Sequence, residues 1–310
     1  MKTLINFASA VFYMVQGRSK PRFTIFAALS VLVVWIAARP VEGAELKQVT
    51  AQAFDHYVSA SESRMQAEIR SGPFLHIDGL PAAQRSEAYR QLRAGQILLW
   101  NANAQAGGSP VSVPYGLIHD WSGAVFIPDV TLTQALAAAM DWNNLHAMYS
   151  NVRESRLIGR EGNTFRVFLQ LYQKSLVTVA FNAQFDMHVE ELGDRRAVIW
   201  SHSTRIAEIA DAGQTDAHDL PVDNGHGYLW RLNGYSRFEE RDGGVYVQVE
   251  SIALSRSVPF FVAWLVNPLL ESIPRKTMLT GLTEMRTAVI NEDKENSVAQ
   301  SGIESALAAR

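Results

Sequence analysis

The chain has 310 residues, 28 of them Lys or Arg and 31 Asp or Glu, giving a formal charge of −3 with 47% hydrophobic and 19% charged residues. This balance excludes a mainly disordered chain, and near-neutral charge without a Lys/Arg block outside the N-terminus excludes an obligate nucleic-acid binder. The absence of cysteine excludes disulfides, Cys-ligated zinc, iron–sulfur clusters, a thiol nucleophile and a lipoprotein anchor.

Residues 1–44 have the order of an export signal. Arg18, Lys20 and Arg22 precede an apolar run from Phe23 to Ala38, and the small residues Gly43 and Ala44 follow. The run has 16 residues, short of the ~20 that cross a bilayer, so cleavage is the preferred reading and an uncleaved anchor the alternative. Without Lys2, Arg18, Lys20, Arg22, Arg39 and Glu42, the remaining chain holds 23 basic and 30 acidic residues, a net of −7. Anionic lipid headgroups repel such a surface. Membrane contact after cleavage is therefore expected to be at most transient.

A helical N-terminal extension with its linker is expected over 45–110. Val49, Ala53, Phe54, Tyr57, Val58, Met65 and Ile69 recur at helical spacing, and Ser71-Gly72-Pro73 stops that helix. A second helix runs from Pro81 to about Arg93 and ends at Gly95; the stretch 101–114 reads as a linker. The simplest role for this extension is packing onto the main domain, which spans 111–290.

That domain opens with a strand over Leu117–Ile127, closed by Pro128-Asp129. Thr131 then caps a helix through Met140, and a short helix covers Asp141–Tyr149. Strand-like runs follow, separated by Glu161-Gly162-Asn163, Gln173-Lys174-Ser175, Gly193-Asp194, a long loop from Asp211 to His226, and Asp242-Gly243-Gly244. An apolar segment from Phe260 to about Val289, interrupted by Pro268 and Pro274, supplies the last helix, and 291–310 is a polar, flexible tail. The fold class is α+β. Strands joined by short turns form an antiparallel sheet with a face to bury, and the C-terminal helix is the element long and apolar enough to cover it.

Alternation assigns the faces. Over 177–189 the odd positions, including Phe181 and Phe185, are apolar and point inward. A two-residue Gly193-Asp194 turn pairs Leu192 with Arg195, which puts Val198, Trp200, His202, Thr204 and Ile206 inside. A two-residue Asp242-Gly243 turn pairs Arg241 with Gly244 and puts Trp230, Leu232, Gly234, Ser236 and Phe238 inside, against Val245, Val247, Val249, Ser251 and Ala253. The small residues Gly234, Ser236, Ser251 and Ala253 set this wall back and leave room for a ligand. On the opposite face Tyr235 stands across from Glu250, with Arg237 diagonal to it, as a polar ladder.

This order of elements resembles the START-like helix-grip superfamily, which includes steroidogenic lipid-transfer domains, birch-pollen-allergen-type proteins and polyketide cyclases. The stretches that carry the likeness are VPYGLIHDWSGAVFIP (113–128), FRVFLQLYQKSLVTVAFNAQFDMHVEEL (165–192), GYLWRLNGYSRFEERDGGVYVQVESIALSR (227–256) and PRKTMLTGLTEMRTAV (274–289). They look similar to exported bacterial members. The superfamily has no shared catalytic motif, so the resemblance transfers no functional residue. It implies a curved antiparallel sheet wrapped around a long C-terminal helix, with an apolar cavity between them.

No Gly-x-Ser-x-Gly elbow, Walker loop, complete Gly-x-Gly-x-x-Gly or His-Glu-x-x-His motif is present. Asp216, His218, Asp219, Asp223 and His226 share one loop, but their spacing fits neither a calcium loop nor a zinc helix. His188, Glu190 and Glu191 read as surface groups. The reading is an exported, periplasmic or secreted protein that binds an apolar or amphipathic small molecule, a lipid among the candidates, with no cofactor, metal or catalytic residue assigned. The residues expected to line the cavity are Phe181, Phe185, Trp200, His202, Thr204, Trp230, Leu232, Ser236, Phe238, Val249, Ser251, Trp264 and Leu269. The alternatives are a cyclase/aromatase-type enzyme using His202 or an inward Arg205, and a non-ligand envelope interaction protein with a fully packed core.

Overall fold

A computed structural model of the chain describes residues 44–102, 111–174, 178–257 and 272–292, all within the compact unit 43–310. The 1–44 signal, save Ala44, lies outside the described residues, as do Pro268, the start of the apolar segment at Phe260, and the tail beyond 292. No helix of the described residues is long and apolar enough to cross a membrane.

In chain order the elements are β1 (Ala44–Glu45), α1 (Gln48–Ser71), α2 (Ala82–Arg93), β2 (Leu98–Asn101), β3 (Val111–Val113), β4 (Gly116–Pro128), α3 (Leu132–Ala139) and α4 (Leu145–Met148). Then come β5 (Val152–Glu161), β6 (Thr164–Lys174), β7 (Thr178–Glu191), β8 (Arg196–Ala210), the short β9 (His218–Asp219) and β10 (Asn224–Gly225), β11 (Arg231–Arg241) and β12 (Gly244–Arg256). A final helix, α5, spans 272–292. Thr131 caps α3 in a reciprocal box with Gln134. Thr50 lies in the first turn of α1, where its hydroxyl donates to the Pro114 carbonyl at 2.7 Å.

The main sheet runs β2-β4-β12-β11-β8-β7-β6-β5, antiparallel throughout. Its concave face carries the largest core, in which Val125, Ile127, Val167, Phe185, Phe238 and Val247 meet Met278, Leu282, Met285 and Val289 of α5. Those four α5 positions recur at helical spacing on one stripe. This is the α+β arrangement expected, a long antiparallel sheet packed on its C-terminal helix. Gly123 marks a close approach of α5: a Cβ there would stand 2.6 Å from both Leu282 Cδ1 and Leu99 Cδ2.

The convex face is covered as well. Phe74, Leu75, Ala88, Tyr89 and Leu92 pack on Ala124, Phe126, Val198 and Tyr246. Phe54, Val58 and Met65 of α1 pack on Ile118, Tyr235, Ile252 and Leu254. The N-terminal helices thus form a third layer on the sheet.

The hairpin turns decide which side chains reach each face. Asp242 (φ 57°) and Gly243 (φ 78°) both occupy the left-handed region, as a two-residue turn between right-twisted strands requires, and Arg241 pairs with Gly244 as expected. At the β7–β8 turn the expectation fails. The Leu192 N–H donates to the Arg196 carbonyl and Glu191 pairs with Ala197, so the loop holds three residues, Gly193-Asp194-Arg195. One extra residue inverts the strand that follows. Ala197, Ile199, Ser201 and Ser203 face α5, while Val198, Trp200 and His202 face α1. A bulge then makes Thr204 the extra residue, since Gln184 pairs with Arg205 and Phe185 with Ser203. Parity is restored beyond it, and Ile206 is inward after all.

Candidate functional site

The register brings Leu232, Ser236, Val249 and Ser251 together on the concave wall, as the alternation implied, with Gly234 opposite Ser251 and Ala253 opposite Leu232. Trp121 stands across from Ser251, and Ser201 across from Gly234. All of these are half-buried. Phe181, Phe185 and Phe238 share the same face but are sealed in the core below the patch, at 6%, 3% and 1% exposure.

Burial in β11 runs opposite to polarity. The concave positions Leu232, Gly234 and Ser236 are half-buried, whereas Asn233, Tyr235, Arg237 and Glu239 on the convex side are buried. Among the described residues, a Cβ on Gly234 would meet only Ser201 Cβ, at 3.8 Å. The wall is set back where glycine, serine and alanine adjoin.

Four expected lining residues stand elsewhere, and two more lie outside the described residues. Trp200 and His202 face α1 because of the three-residue turn. Thr204, in the bulge, is exposed and donates to the Gln184 carbonyl at 3.3 Å. Trp230 precedes β11 and is buried under α1 with Phe54 and Val58. Trp264 and Leu269 fall outside the described residues.

Periodicity in one strand could not reveal the partner group on the wall, His119. It occupies the concave side of β4 opposite Ala253 and is 6% exposed. Its Nε2 lies 3.0 Å from Ser255 Oγ, and its Nδ1 is buried without a hydrogen-bond partner. Burial lowers its pKa to about 4, so the ring is neutral near pH 7. The readable signal was the odd series of β4, Leu117, His119, Trp121, Gly123, Val125 and Ile127, once β12 fixes its face.

The expected polar ladder is a buried ionic layer beneath α1. Tyr235 does stand opposite Glu250, but both are almost wholly buried. Glu62 accepts from Tyr235 Oη at 2.8 Å and lies 2.6 Å from His202 Nε2. The hydrogen bond from His202 leads the effects that hold the Glu62 carboxyl below its ordinary range, against its partial burial. Arg64 pairs with Glu250 at 2.6 Å and Arg237 with Glu68 at 2.7 Å; Arg237 also donates to the Phe74 carbonyl. Tyr57 donates to Asp120 Oδ2 at 2.7 Å. Burial, reinforced by the neighbouring Glu250, pushes the Asp120 carboxyl up to about 7.

Beside this layer a surface groove of about 400 Å³ is lined by Glu62, Gln66, Ile69, Arg70, His188, Glu190, Trp200 and His202. Arg205 bonds Asp219 and Arg231 bonds Asp223, and both stand on the face away from the concave wall. Among the described residues no three His, Cys, Asp or Glu side chains are grouped to hold a metal.

No family model and no curated protein matches the sequence. Solved structures do. A STAR-related lipid transfer protein fragment from Xanthomonas axonopodis is 16% identical, over 58% of this chain and 96% of that one, with a TM-score of 0.38. Human STARD10 is 12% identical over 71% and 85%, with a TM-score of 0.39. The Zhui aromatase/cyclase from a Streptomyces species is 8% identical over 56% and 93%, with a TM-score of 0.37.

Proposed function

We propose that the protein is an exported binding protein that holds an apolar or amphipathic small molecule on the concave wall beside α5. The observation that carries this reading is the half-buried patch of small residues, Gly234, Ser236, Ser251 and Ala253, on the face that elsewhere forms the apolar core. A core packed for stability alone fills such positions with large side chains. Burying an alkyl chain here contributes about 0.8 kcal/mol per methylene removed from water. Export rests on the charged, apolar and small-residue order of residues 1–44.

A cyclase-type reaction has less support, since it needs two titratable groups converging on one cavity. Glu250, Arg205 and Arg231, the groups that a different register would supply, lie away from the patch.

The test is native mass spectrometry of the protein purified from its own envelope, followed by organic extraction, for wild type and for Ser236→Trp and Ser251→Trp. A co-purifying apolar species of defined mass, lost in both variants, is the expected result. Retention of that species in folded variants would refute the placement of the pocket. Wild type that is empty and takes up no fatty acid, sterol or phospholipid would refute the binding function.

A further inference from the structure

The wall that would hold the ligand has a distinctive charge pattern. Its inward positions on β4, β12, β11, β8, β7 and β6 carry no Lys or Arg among the described residues. The ionisable residues at inward positions, apart from His119, are acidic: Glu191, Glu208 and Glu240. Two of these already have work within the fold. Glu208 accepts from the His226 and Tyr228 backbone N–H groups, and Glu240 accepts from the Leu132 N–H at the start of α3. A ligand carboxylate or phosphate buried against these six strands would meet no cationic side chain of theirs, and an unpaired buried charge costs several kcal/mol.

Among the described residues, one buried polar atom on the wall lacks a partner. His119 Nδ1 is buried and unbonded, and a buried nitrogen left so costs about 1–3 kcal/mol. The contact between His119 Nε2 and Ser255 Oγ, at 3.0 Å, can run in either direction; when Nε2 carries the proton, the Nδ1 lone pair is left to accept. An alcohol can donate to that lone pair. It would also satisfy the ring in its other tautomer, because a hydroxyl both donates and accepts. His119 stands one inward position from Trp121 and opposite Ala253, at the margin of the half-buried patch.

We infer, on the premise that the concave wall is the binding site, that the ligand is a neutral amphiphile whose hydroxyl bonds His119, and that ionised acids and phosphates are rejected. Desolvation of the ring supports this by keeping it uncharged near pH 7.

Three probes of equal chain length separate the polar contribution from burial: decan-1-ol, decanoate at pH 8, and decane. Their binding to the delipidated full chain is measured by displacement of a fluorescent alkyl probe. In wild type decan-1-ol is expected to bind most tightly and decanoate most weakly. His119→Leu should weaken decan-1-ol by roughly two- to tenfold, the range of one net hydrogen bond, and leave decane unchanged. His119→Gln, which retains a donor and an acceptor, should keep the preference for the alcohol. Decanoate binding as tightly as decan-1-ol would overturn the inference while leaving the pocket intact. So would an equal loss of decane and decan-1-ol in His119→Leu. If that variant does not fold, the wild-type ranking and His119→Gln decide. Failure of all three probes to bind would overturn the pocket itself, and the inference with it.

Discussion

Asp120→Asn tests the buried layer under α1 through its dependence on pH. Asp120 is 3% exposed, accepts one hydrogen bond from Tyr57, and has its second oxygen buried without a partner. Its carboxyl is pushed from 3.8 up to about 7 by burial and by Glu250. The folded protein therefore binds this proton more tightly than the unfolded chain. Stability associated with Asp120 is full below pH 4, falls as pH rises and is gone above pH 7. Each tenfold change in proton affinity is worth about 1.4 kcal/mol, so the full span is at most about 4 kcal/mol. An amide is the uncharged isostere of the protonated acid: its carbonyl can accept from Tyr57, and its N–H₂ replaces the unpartnered edge. The two proteins should match near pH 4 and diverge above it, with Asp120→Asn more stable by about 2–4 kcal/mol at pH 8. Other titrating groups largely cancel in the difference. Urea unfolding of both proteins between pH 4 and pH 8 measures it. Parallel stability curves across that range would falsify the reasoning.

Three further outcomes follow from the same contacts. Gly123→Ala forces a methyl against Leu282 and Leu99, whose carbons lie 2.6 Å from where it would sit; a loss of about 1–3 kcal/mol is expected, and an unchanged melting temperature would contradict the close approach of α5. Arg237→Ala leaves the Phe74 carbonyl without its partner and Glu68 with Arg64 alone, at 3.3 Å, for a loss of about 1–3 kcal/mol. Arg237→Ala with Glu68→Leu should lose less than the single change, as a double-mutant cycle in urea would show. Glu62→Gln acts at the acid end: because the folded carboxyl titrates below its ordinary 4.5, its contribution is present above that value and is lost as pH falls through the lower folded one. The variant should be less stable at pH 7 and show a shallower acid limb in thermal melts, whereas identical limbs would mean that the bonds from His202 and Tyr235 contribute nothing.

The sequence made the sheet and its final helix readable because hairpin turns and alternation are local signals. Asp242-Gly243 forces a two-residue turn, and from it followed the pairing of Tyr235 with Glu250 and the small-residue wall formed by β11 and β12. What the sequence left ambiguous was a matter of one residue. Gly193-Asp194 is compatible with a two-residue turn, yet the strands close around Gly193-Asp194-Arg195, and Trp200 and His202 therefore face α1. Polarity could not correct this, because both faces of the sheet are covered and both accept large side chains. Tyr235, Arg237 and Glu250 read as a polar ladder in isolation. They are buried because Glu62, Arg64 and Glu68 recur along α1 and meet them from above, a complementarity between segments more than 150 residues apart. Distance along the chain also hid His119: its strand is unremarkable alone, and only pairing with β12 places it across from Ala253 at the margin of the half-buried patch. The two faces thus divide their labour by charge. Arg64 and Arg237 are committed to carboxylates on the convex side, whereas the inward positions of β4, β12, β11, β8, β7 and β6 carry no Lys or Arg among the described residues, and Arg160 of the edge strand β5 stacks on Phe165; that division of charge is what underlies the proposal of a neutral ligand.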